Sequence, residues 1–152
     1  MGLAKALFSS AKYNWGTPEK VFRELDDEFA FVLDAAADHP NALCQLYFTA
    51  SHDALTRSWH PYGTVFLNPP YGRSIGQWVA KAAEEARQGC TVVVLIPART
   101  DTRYFHDYIW DKEHHCPKPG VQVRFLQGRL TFVGADNEAP VPSMVVVFEE
   151  VE

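Results

Sequence analysis

The sequence predicts an α/β fold of the doubly wound type, with a mostly parallel sheet and antiparallel strands at its C-terminal edge. Three observations predict this class. In the first two thirds of the chain, short strand-like runs alternate with helical patterns, which is typical of a parallel sheet. The run from Thr91 to Ile96 is apolar and rich in β-branched residues, as in a strand buried on both faces. In the last third, strand-like runs are separated only by glycine- and proline-rich turns.

The first half of the chain contains one helix start and three short strands. Thr17-Pro18-Glu19 supplies a capping residue, a proline at the first helical position and an acid in the first turn, so a helix is expected to begin here. Strands are expected at three apolar runs, Phe29 to Leu33, Leu46 to Phe48, and Thr64 to Leu67. The first ends at Asp34 and the third at Asn68, where two prolines prevent its continuation. Ligands of doubly wound sheets bind beyond the carboxyl ends of the strands, where both residues lie.

The second half is expected to continue the alternation and then change character. Apolar residues recur at helical intervals from Ile75 to Arg87, and Gly89 follows as a C-terminal stop. The buried strand from Thr91 to Ile96 comes next, followed by a second helical pattern from Thr102 to Trp110. The antiparallel strands are expected at Val121 to Leu126, Leu130 to Val133, and Met144 to Phe148.

The composition is that of one globular domain. The 152 residues are 47% hydrophobic and 22% charged, which predicts a single domain over residues 1–152. No run approaches the roughly 18 apolar residues that a membrane span needs. The first ten residues lack the pattern of a secretory signal, and the odd, widely spaced set of Cys44, Cys90 and Cys116 fits a reducing compartment. We therefore expect a cytoplasmic protein with no membrane partner; the oligomeric state cannot be predicted.

Asn68-Pro69-Pro70-Tyr71 is the segment with the clearest chemical meaning. An amine attached to an aromatic ring or a carbonyl is a poor nucleophile, because its lone pair is delocalised. If the Asn68 side-chain oxygen and the Pro69 carbonyl each accept a hydrogen bond from such an amine, its lone pair localises toward an incoming methyl group. The prolines fix this geometry, and Tyr71 offers a flat face for a flipped-out base. The alternative is a simple strand-ending turn, since Asn and Pro are common turn residues.

Net charge bears on DNA binding, and one His-His-Cys cluster bears on metal binding. The formal net charge of −5 disfavours tight binding to duplex DNA unless basic residues form a local patch. The arginines in or near predicted loops are Arg73, Arg99, Arg103, Arg124 and Arg129. His114-His115-Cys116 resembles part of a metal site, but adjacent side chains diverge and no second ligand pair lies at zinc spacing. No metal is expected.

Over nearly its whole length the chain resembles the phage-type DNA N-6-adenine methyltransferases, often called the phage Dam family. The matching segments are Trp15-Gly16-Thr17-Pro18, Phe31-Val32-Leu33-Asp34-Ala35-Ala36-Ala37, Asp53-Ala54-Leu55 with Trp59, Asn68-Pro69-Pro70-Tyr71-Gly72, Leu95-Ile96-Pro97-Ala98-Arg99-Thr100-Asp101-Thr102, and Gly128-Arg129-Leu130-Thr131-Phe132. The resemblance implies a Rossmann-like methyltransferase fold, S-adenosylmethionine as methyl donor and adenine in DNA as acceptor, often encoded by phage or prophage. No segment is large enough to form a separate target-recognition domain.

The resemblance also implies roles for individual residues. Asp34 would lie near the amino-acid or ribose portion of the cofactor and Asp53 near its adenine, and the implied cofactor-binding set is Trp15, Thr17, Pro18, Asp34, Ala36 and Asp53. Asn68, Pro69, Pro70 and Tyr71 would hold the target amine, and the candidates for DNA contact are Arg73, Arg99, Thr102 and Arg129. Some of these have structural alternatives: Asp34 and Asp53 as helix caps, Trp15 as a core or staple residue, Arg99, Thr100 and Thr102 as caps of the next helix, and Arg129 as a solvated turn charge.

One departure from other methyltransferases lies in the cofactor loop. The usual spaced glycines after the first strand are replaced by Asp34-Ala35-Ala36-Ala37, and alanine does not readily adopt positive φ. The interval from Asp34 to Asn68 is also short for a full series of helices and strands. Two other functions stay open at this point: methylation of an amine in RNA or of a glutamine side chain in protein, and a binding module that keeps the fold without catalysis.

Overall fold

The computed structural model describes residues 16–38 and 42–151, and in this part of the chain the main sheet has six strands. They are β1 (Leu33–Asp34), β2 (Leu46–Tyr47), β3 (Thr64–Leu67), β4 (Thr91–Pro97), β7 (Val121–Phe125) and β8 (Ser143–Phe148), while β5 (Trp110–Asp111) and β6 (Cys116–Pro117) form a separate hairpin. The sheet order is β2-β1-β3-β4-β8-β7. The first four strands are parallel, and β8 is antiparallel to both β4 and β7. The predicted α/β class, with a mostly parallel sheet and antiparallel C-terminal strands, is confirmed.

Two predicted helices are present with nearly the expected bounds. Helix α1 is Glu19–Phe29 and buries Phe22 and Leu25. Its N-cap is Pro18, whose position one residue after the predicted cap leaves Thr17 outside the helix. Helix α2 is Ile75–Arg87, and it buries one face against the sheet because its apolar residues recur every three to four positions.

The core is centred on the middle of the sheet. Val65 of β3 pairs with Val92 of β4, and Val93 of β4 pairs with Val147 of β8. All of these side chains are buried, as expected for strands covered on both faces. Burial of an aliphatic side chain contributes about 1.5–3 kcal/mol, so these strands form a rigid base from which the loops at the carboxyl edge extend.

Two predicted elements are shorter in the structure than in the sequence pattern. Phe29 belongs to α1 rather than to a strand, because it continues the apolar face of Leu25, and the helix ends at Ala30 in the left-handed conformation (φ 54°). The predicted strand from Phe29 to Leu33 is thereby reduced to β1. The predicted helix from Thr102 to Trp110 is a π-helix over Phe105–Ile109, because Trp110 is already extended and pairs with Pro117.

The predicted strand from Leu130 to Val133 is wrong. β8 already occupies the position between β4 and β7, so this segment is not needed to complete the sheet. It instead crosses the carboxyl edge and meets the chain just before α1. Gly16 and Val133 pair through two backbone hydrogen bonds, of 3.1 Å from Gly16 N and 2.8 Å from Val133 N.

The short interval between Asp34 and Asn68 contains little regular structure. Besides β2 and β3, the described residues here form 3₁₀ turns at Ala50–His52, Ala54–Thr56 and His60–Tyr62. None of the helices within residues 16–38 and 42–151 has the length and apolar character required to cross a bilayer.

Candidate active site

Asp34 and Asn68 lie side by side at the carboxyl edge of the sheet. Asp34 ends β1 and Asn68 follows β3, and these two parallel strands are direct neighbours, with Asp34 paired to Phe66. Asp34 and Asn68 line one small depression together with Thr17. The topology thus brings together three of the residues that the sequence predicts for the site.

The side chain of Asn68 is held by Thr17. Asn68 Nδ2 donates a hydrogen bond of 3.0 Å to Thr17 Oγ1, and Thr17 is 6% exposed. The sequence predicted that Thr17 caps α1, and this is wrong. The helix begins after Pro18, and the Thr17 hydroxyl is instead hydrogen-bonded to Asn68. The contact places the Asn68 amide at the edge of the sheet rather than in the core.

Asp34 is a buried acid with an elevated pKa. Its side chain is 3% exposed, and this burial raises its pKa to about 6. Hydrogen bonds from the backbone N–H groups of Leu43 (3.2 Å) and Ala36 (3.4 Å) lower the pKa but offset only part of the desolvation. Near neutral pH the carboxylate is a concentrated negative charge that a cationic or hydroxyl-bearing ligand would stabilise.

The turn after β1 leads directly into a cleft beside these residues. The cleft has a volume of about 470 Å³ and is lined by residues 35–38, 49–51 and 53–55 together with Pro70 and Trp78. The alanine turn needs no glycine, because none of Ala35, Ala36 and Ala37 has a positive φ. Ala35 N and Ala37 N donate to Phe66 O and Phe48 O, so the turn continues the strand pairing instead of turning sharply.

Asp53 forms part of the opposite wall of this cleft. It lies between the Ala50–His52 and Ala54–Thr56 turns, is exposed, and has a φ of 51°. A left-handed conformation is better tolerated by Asp than by most side chains. Asp53 does not cap through its side chain, since no side-chain capping hydrogen bond is present at the turn that it precedes.

A buried carboxylate, Glu85 of α2, fixes the wall that carries Asp53. Glu85 Oε1 accepts hydrogen bonds from Trp59 N, His60 N (2.8 Å) and His60 Nδ1 (3.0 Å), and Glu85 Oε2 accepts one from Lys81 Nζ (3.1 Å). Burial alone raises the pKa of Glu85, but these hydrogen bonds lower it to about 2. Trp59 in turn donates from Nε1 to Ala54 O at 3.0 Å. Sequence reasoning missed this residue, although an acid on the apolar face of a predicted helix was a usable signal.

Tyr71 is less accessible than the sequence suggests. Its ring is 7% exposed and lies edge-to-face with Phe132, with the ring centroids 5.7 Å apart. Its hydroxyl donates to Leu95 O at 3.4 Å, and burial raises its pKa. Phe132 reaches this position because the 130–133 segment crosses the sheet edge, a contact that the strand prediction for this segment could not anticipate. Pro69 is buried and Pro70 lines the cleft.

The predicted DNA-contacting residues all lie at the carboxyl edge. Arg73, Arg99 and Arg129 are exposed, and they follow β3, β4 and β7, which run in the same direction. Arg99 has Asp101 as a neighbour at 3.7 Å, and Arg129 Nη1 donates to Pro140 O at 2.9 Å. Thr102 Oγ1 accepts a hydrogen bond from Phe105 N at 3.4 Å, which is a capping contact.

Two other predicted sets have different surroundings. Arg124 makes a bidentate pair with Glu28 of α1, with distances of 2.7 and 2.6 Å, so this arginine joins α1 to the sheet. His114 Nδ1 lies 2.8 Å from Asp111 Oδ2 on the exposed β5–β6 hairpin. In the described residues, no three His, Cys, Asp or Glu side chains form a group that could hold a metal ion. Trp15 lies outside the described residues.

Comparison with known proteins identifies the family of the chain. A family model described as DNA N-6-adenine-methyltransferase (Dam) matches residues 5–151. A DNA N-6-adenine-methyltransferase of Escherichia phage T1 is 34% identical over 131 residues, which are 81% of this chain and 55% of the phage protein. The putative methyltransferase YfdM of Escherichia coli (strain K12) is 40% identical over 63 residues, which are 38% of this chain and 69% of that protein. The chain thus spans about half the length of the phage relative. With a family match over nearly all of its residues, the chain belongs to the DNA N-6-adenine-methyltransferase (Dam) family.

Proposed function

We propose that this chain transfers the methyl group of S-adenosylmethionine to the exocyclic amine of adenine in DNA. The observation that carries the proposal is the position of Asn68, whose side-chain amide is fixed at the end of β3 beside the buried Asp34. Family membership supports the reaction, and the name of the phage T1 relative supports DNA as the substrate. We place the reaction in the cytoplasm of a bacterium or of a phage-infected cell, where bacterial and phage DNA are found.

The residues of the cleft fit the methyl donor. A volume of about 470 Å³ lies within the range of typical cofactor pockets. Asp34 provides a negative charge for the ammonium or ribose hydroxyl groups of S-adenosylmethionine, and Thr17 and Ala36 line the same small depression as Asp34. We assign Pro18, the neighbour of Thr17 in the chain, to this end of the cofactor. Asp53 and Trp78 provide an acceptor and an apolar surface for its adenine. When bound, S-adenosylmethionine supplies an electrophilic methyl group on its sulfonium sulfur.

Asn68 and Pro69 prepare the target nitrogen. The Asn68 side-chain oxygen and the Pro69 carbonyl each accept a hydrogen bond from the amine, so the lone pair of the nitrogen localises toward the methyl donor. Pro69 and Pro70 keep the chain rigid here, because their φ angles are locked. Tyr71 stacks on the flipped base. Because its ring is 7% exposed, we expect the side chains around it, Phe132 included, to shift when the base enters.

We assign DNA binding to the basic residues at the carboxyl edge of the sheet. Arg73, Arg99 and Arg129 are exposed there and contact phosphates. Thr102 adds a polar contact in the loop that carries Arg99. The net charge of −5 limits the affinity, since a negatively charged protein is repelled by the phosphates of the duplex. We therefore expect modest, strongly salt-dependent binding.

The test is incorporation of labelled methyl groups. The protein is incubated with tritiated S-adenosylmethionine and, in parallel, with unmethylated DNA, RNA and a protein extract, and the modified DNA is digested and analysed for N6-methyladenine. We expect label in DNA as N6-methyladenine, and at least about a hundredfold slower labelling with the Asn68→Ala variant. Label in RNA or protein but not in DNA would assign the activity to another amine. No label anywhere, together with no heat of binding for S-adenosylhomocysteine, would indicate a binding module without catalysis.

A further inference from the structure

Two walls of the cleft are joined by Trp59, a residue that does not line it. Trp59 is 0% exposed, and its indole Nε1 donates a hydrogen bond of 3.0 Å to Ala54 O, next to Asp53 in the chain. Its ring also stacks on Trp78, which lines the same cleft, with the ring centroids 6.2 Å apart. We propose that Trp59 is a positioning residue for the methyl donor, whose indole N–H holds the turn at Asp53 in the conformation that the donor binds. The inference rests on the proposed function, since this cleft is the proposed cofactor site.

The turn at Asp53 requires such support. Asp53 has left-handed backbone angles (φ 51°, ψ 65°), which cost free energy for a residue with a Cβ atom. Two backbone hydrogen bonds, from Thr56 N to Asp53 O (3.0 Å) and from Arg57 N to Ala54 O (3.1 Å), lie within the segment and move with it. The hydrogen bond from Trp59 Nε1 instead links the turn to a buried side chain.

Trp59 is itself fixed by α2. Its backbone N–H donates to Oε1 of the buried Glu85. Lys81 Nζ lies 5.6 Å from the centroid of the Trp59 ring and donates to Glu85 Oε2 at 3.1 Å. Both residues belong to α2, which packs against the sheet. The indole N–H is therefore a fixed donor to which the strained turn is attached.

We expect loss of this hydrogen bond to weaken cofactor binding about three- to tenfold. One hydrogen bond and one left-handed residue have free energies of similar size, so without the bond the relaxed turn becomes as populated as the bound conformation or more so. The apparent Kd rises in inverse proportion to the fraction of molecules that can bind, and a tenfold rise corresponds to about 1.4 kcal/mol. At saturating S-adenosylmethionine kcat should change less than about twofold, because Asn68 is held at the end of β3, away from this turn.

The first experiment measures the Kd for S-adenosylhomocysteine by calorimetry in Trp59→Phe. Trp110→Phe makes the same change on the β5–β6 hairpin, and Phe148→Leu removes buried packing where β8 meets the start of β4. We expect the Kd to rise about three- to tenfold in Trp59→Phe and to stay within about twofold in both controls. An unchanged Kd in Trp59→Phe would overturn the inference, as would an equal rise in Phe148→Leu, which would show that affinity follows overall stability.

The second experiment isolates the indole N–H. Site-specific replacement of Trp59 by benzothienylalanine, in which sulfur takes the place of the N–H group, keeps the size of the ring and its stacking on Trp78. The Kd should rise as it does in Trp59→Phe. An unchanged Kd would show that ring packing, and not the hydrogen bond, supports the cleft. This replacement also covers the case in which Trp59→Phe does not fold.

A third measurement needs neither activity nor cofactor. In the ligand-free protein, solvent exchange of the Thr56 and Arg57 backbone N–H groups, measured by NMR, should be about three- to tenfold faster with benzothienylalanine at position 59. In an Asp53→Gly background the change should be less than about twofold, because glycine adopts left-handed angles without strain. No change, or an equal change in both backgrounds, would overturn the inference.

These outcomes separate the inference from the proposed function. DNA methylation by wild type, with an unchanged Kd in both Trp59 replacements, would refute the inference alone. The expected changes in Kd and exchange, without DNA methylation by wild type, would refute the proposed function alone. Absence of any heat of binding for S-adenosylhomocysteine in wild type would refute the cofactor site, and the inference with it.

Discussion

Replacing Asp34 by asparagine is expected to stabilise the free protein at neutral pH. Burial raises the pKa of Asp34 from 3.8 to about 6. The folded state therefore binds this proton more tightly than the unfolded chain does. The free energy of unfolding consequently falls as the pH rises from about 4 to about 6, and remains low above that range. The difference of about 2 pKa units corresponds to roughly 3 kcal/mol.

Asparagine removes this ionisation cost while keeping the shape of the side chain. Its single carbonyl retains one of the two hydrogen bonds from Leu43 N and Ala36 N, and the loss of the other costs about 1 kcal/mol. The net gain above pH 7 is thus about 2 kcal/mol, or about 4–8 °C in Tm for a domain of this size. At pH 4 the carboxyl group is already neutral, so asparagine gives no gain there.

Thermal unfolding between pH 4 and pH 8 tests this reasoning. The Tm of Asp34→Asn minus that of wild type should rise from zero or below at pH 4 to several degrees at pH 7. Asp38→Asn, which changes an exposed carboxylate on the same segment, is the matched control and should show no such trend. A Tm difference that does not vary with pH, or the same trend in the control, would refute the assigned cause.

Three further outcomes are expected. Asn68→Ala should lower kcat at least about a hundredfold, as for loss of one transition-state hydrogen-bond partner, with calorimetric affinity for S-adenosylhomocysteine unchanged; comparable turnover would contradict its role. Glu85→Ala leaves several buried donors without an acceptor and should cost about 3 kcal/mol, lowering Tm by about 6–12 °C, with a smaller drop for Glu85→Gln. Arg73→Ala and Arg99→Ala should each reduce the salt dependence of DNA binding by about one unit of slope in log Kd against log salt; an unchanged slope would remove that arginine from the interface.

The sheet was predictable where the pattern was continuous. The runs from Thr64 to Leu67 and from Thr91 to Ile96 correspond closely to β3 and β4, because β-branched residues in an unbroken apolar run favour a buried strand. Phe29 was ambiguous, since it satisfies both a strand and the last turn of α1, and packing along the helix face decided the outcome. The local pattern also could not reveal that the 130–133 segment leaves the sheet. That outcome depends on β8, which comes later in the chain and occupies the place between β4 and β7.

The candidate site was predictable in its positions but not in its contacts. Asp34 and Asn68 could be placed at one edge because parallel strands end together. The bond between Asn68 and Thr17, and the contact between Tyr71 and Phe132, join residues far apart in sequence, so no local signal encodes them. Those contacts decide which atoms face the cleft.

The position of β8 has a consequence for how the chain is made. This strand follows β7 in sequence but inserts between β7 and β4. Until residues 143–148 have been synthesised, one side of β4 lacks its hydrogen-bonding partner, and the run from Val92 to Ile96 is an uncharged stretch of high β-propensity. A chain that lacks residues 143–148 therefore exposes an unpaired, uncharged strand edge, which favours aggregation until the strand is inserted.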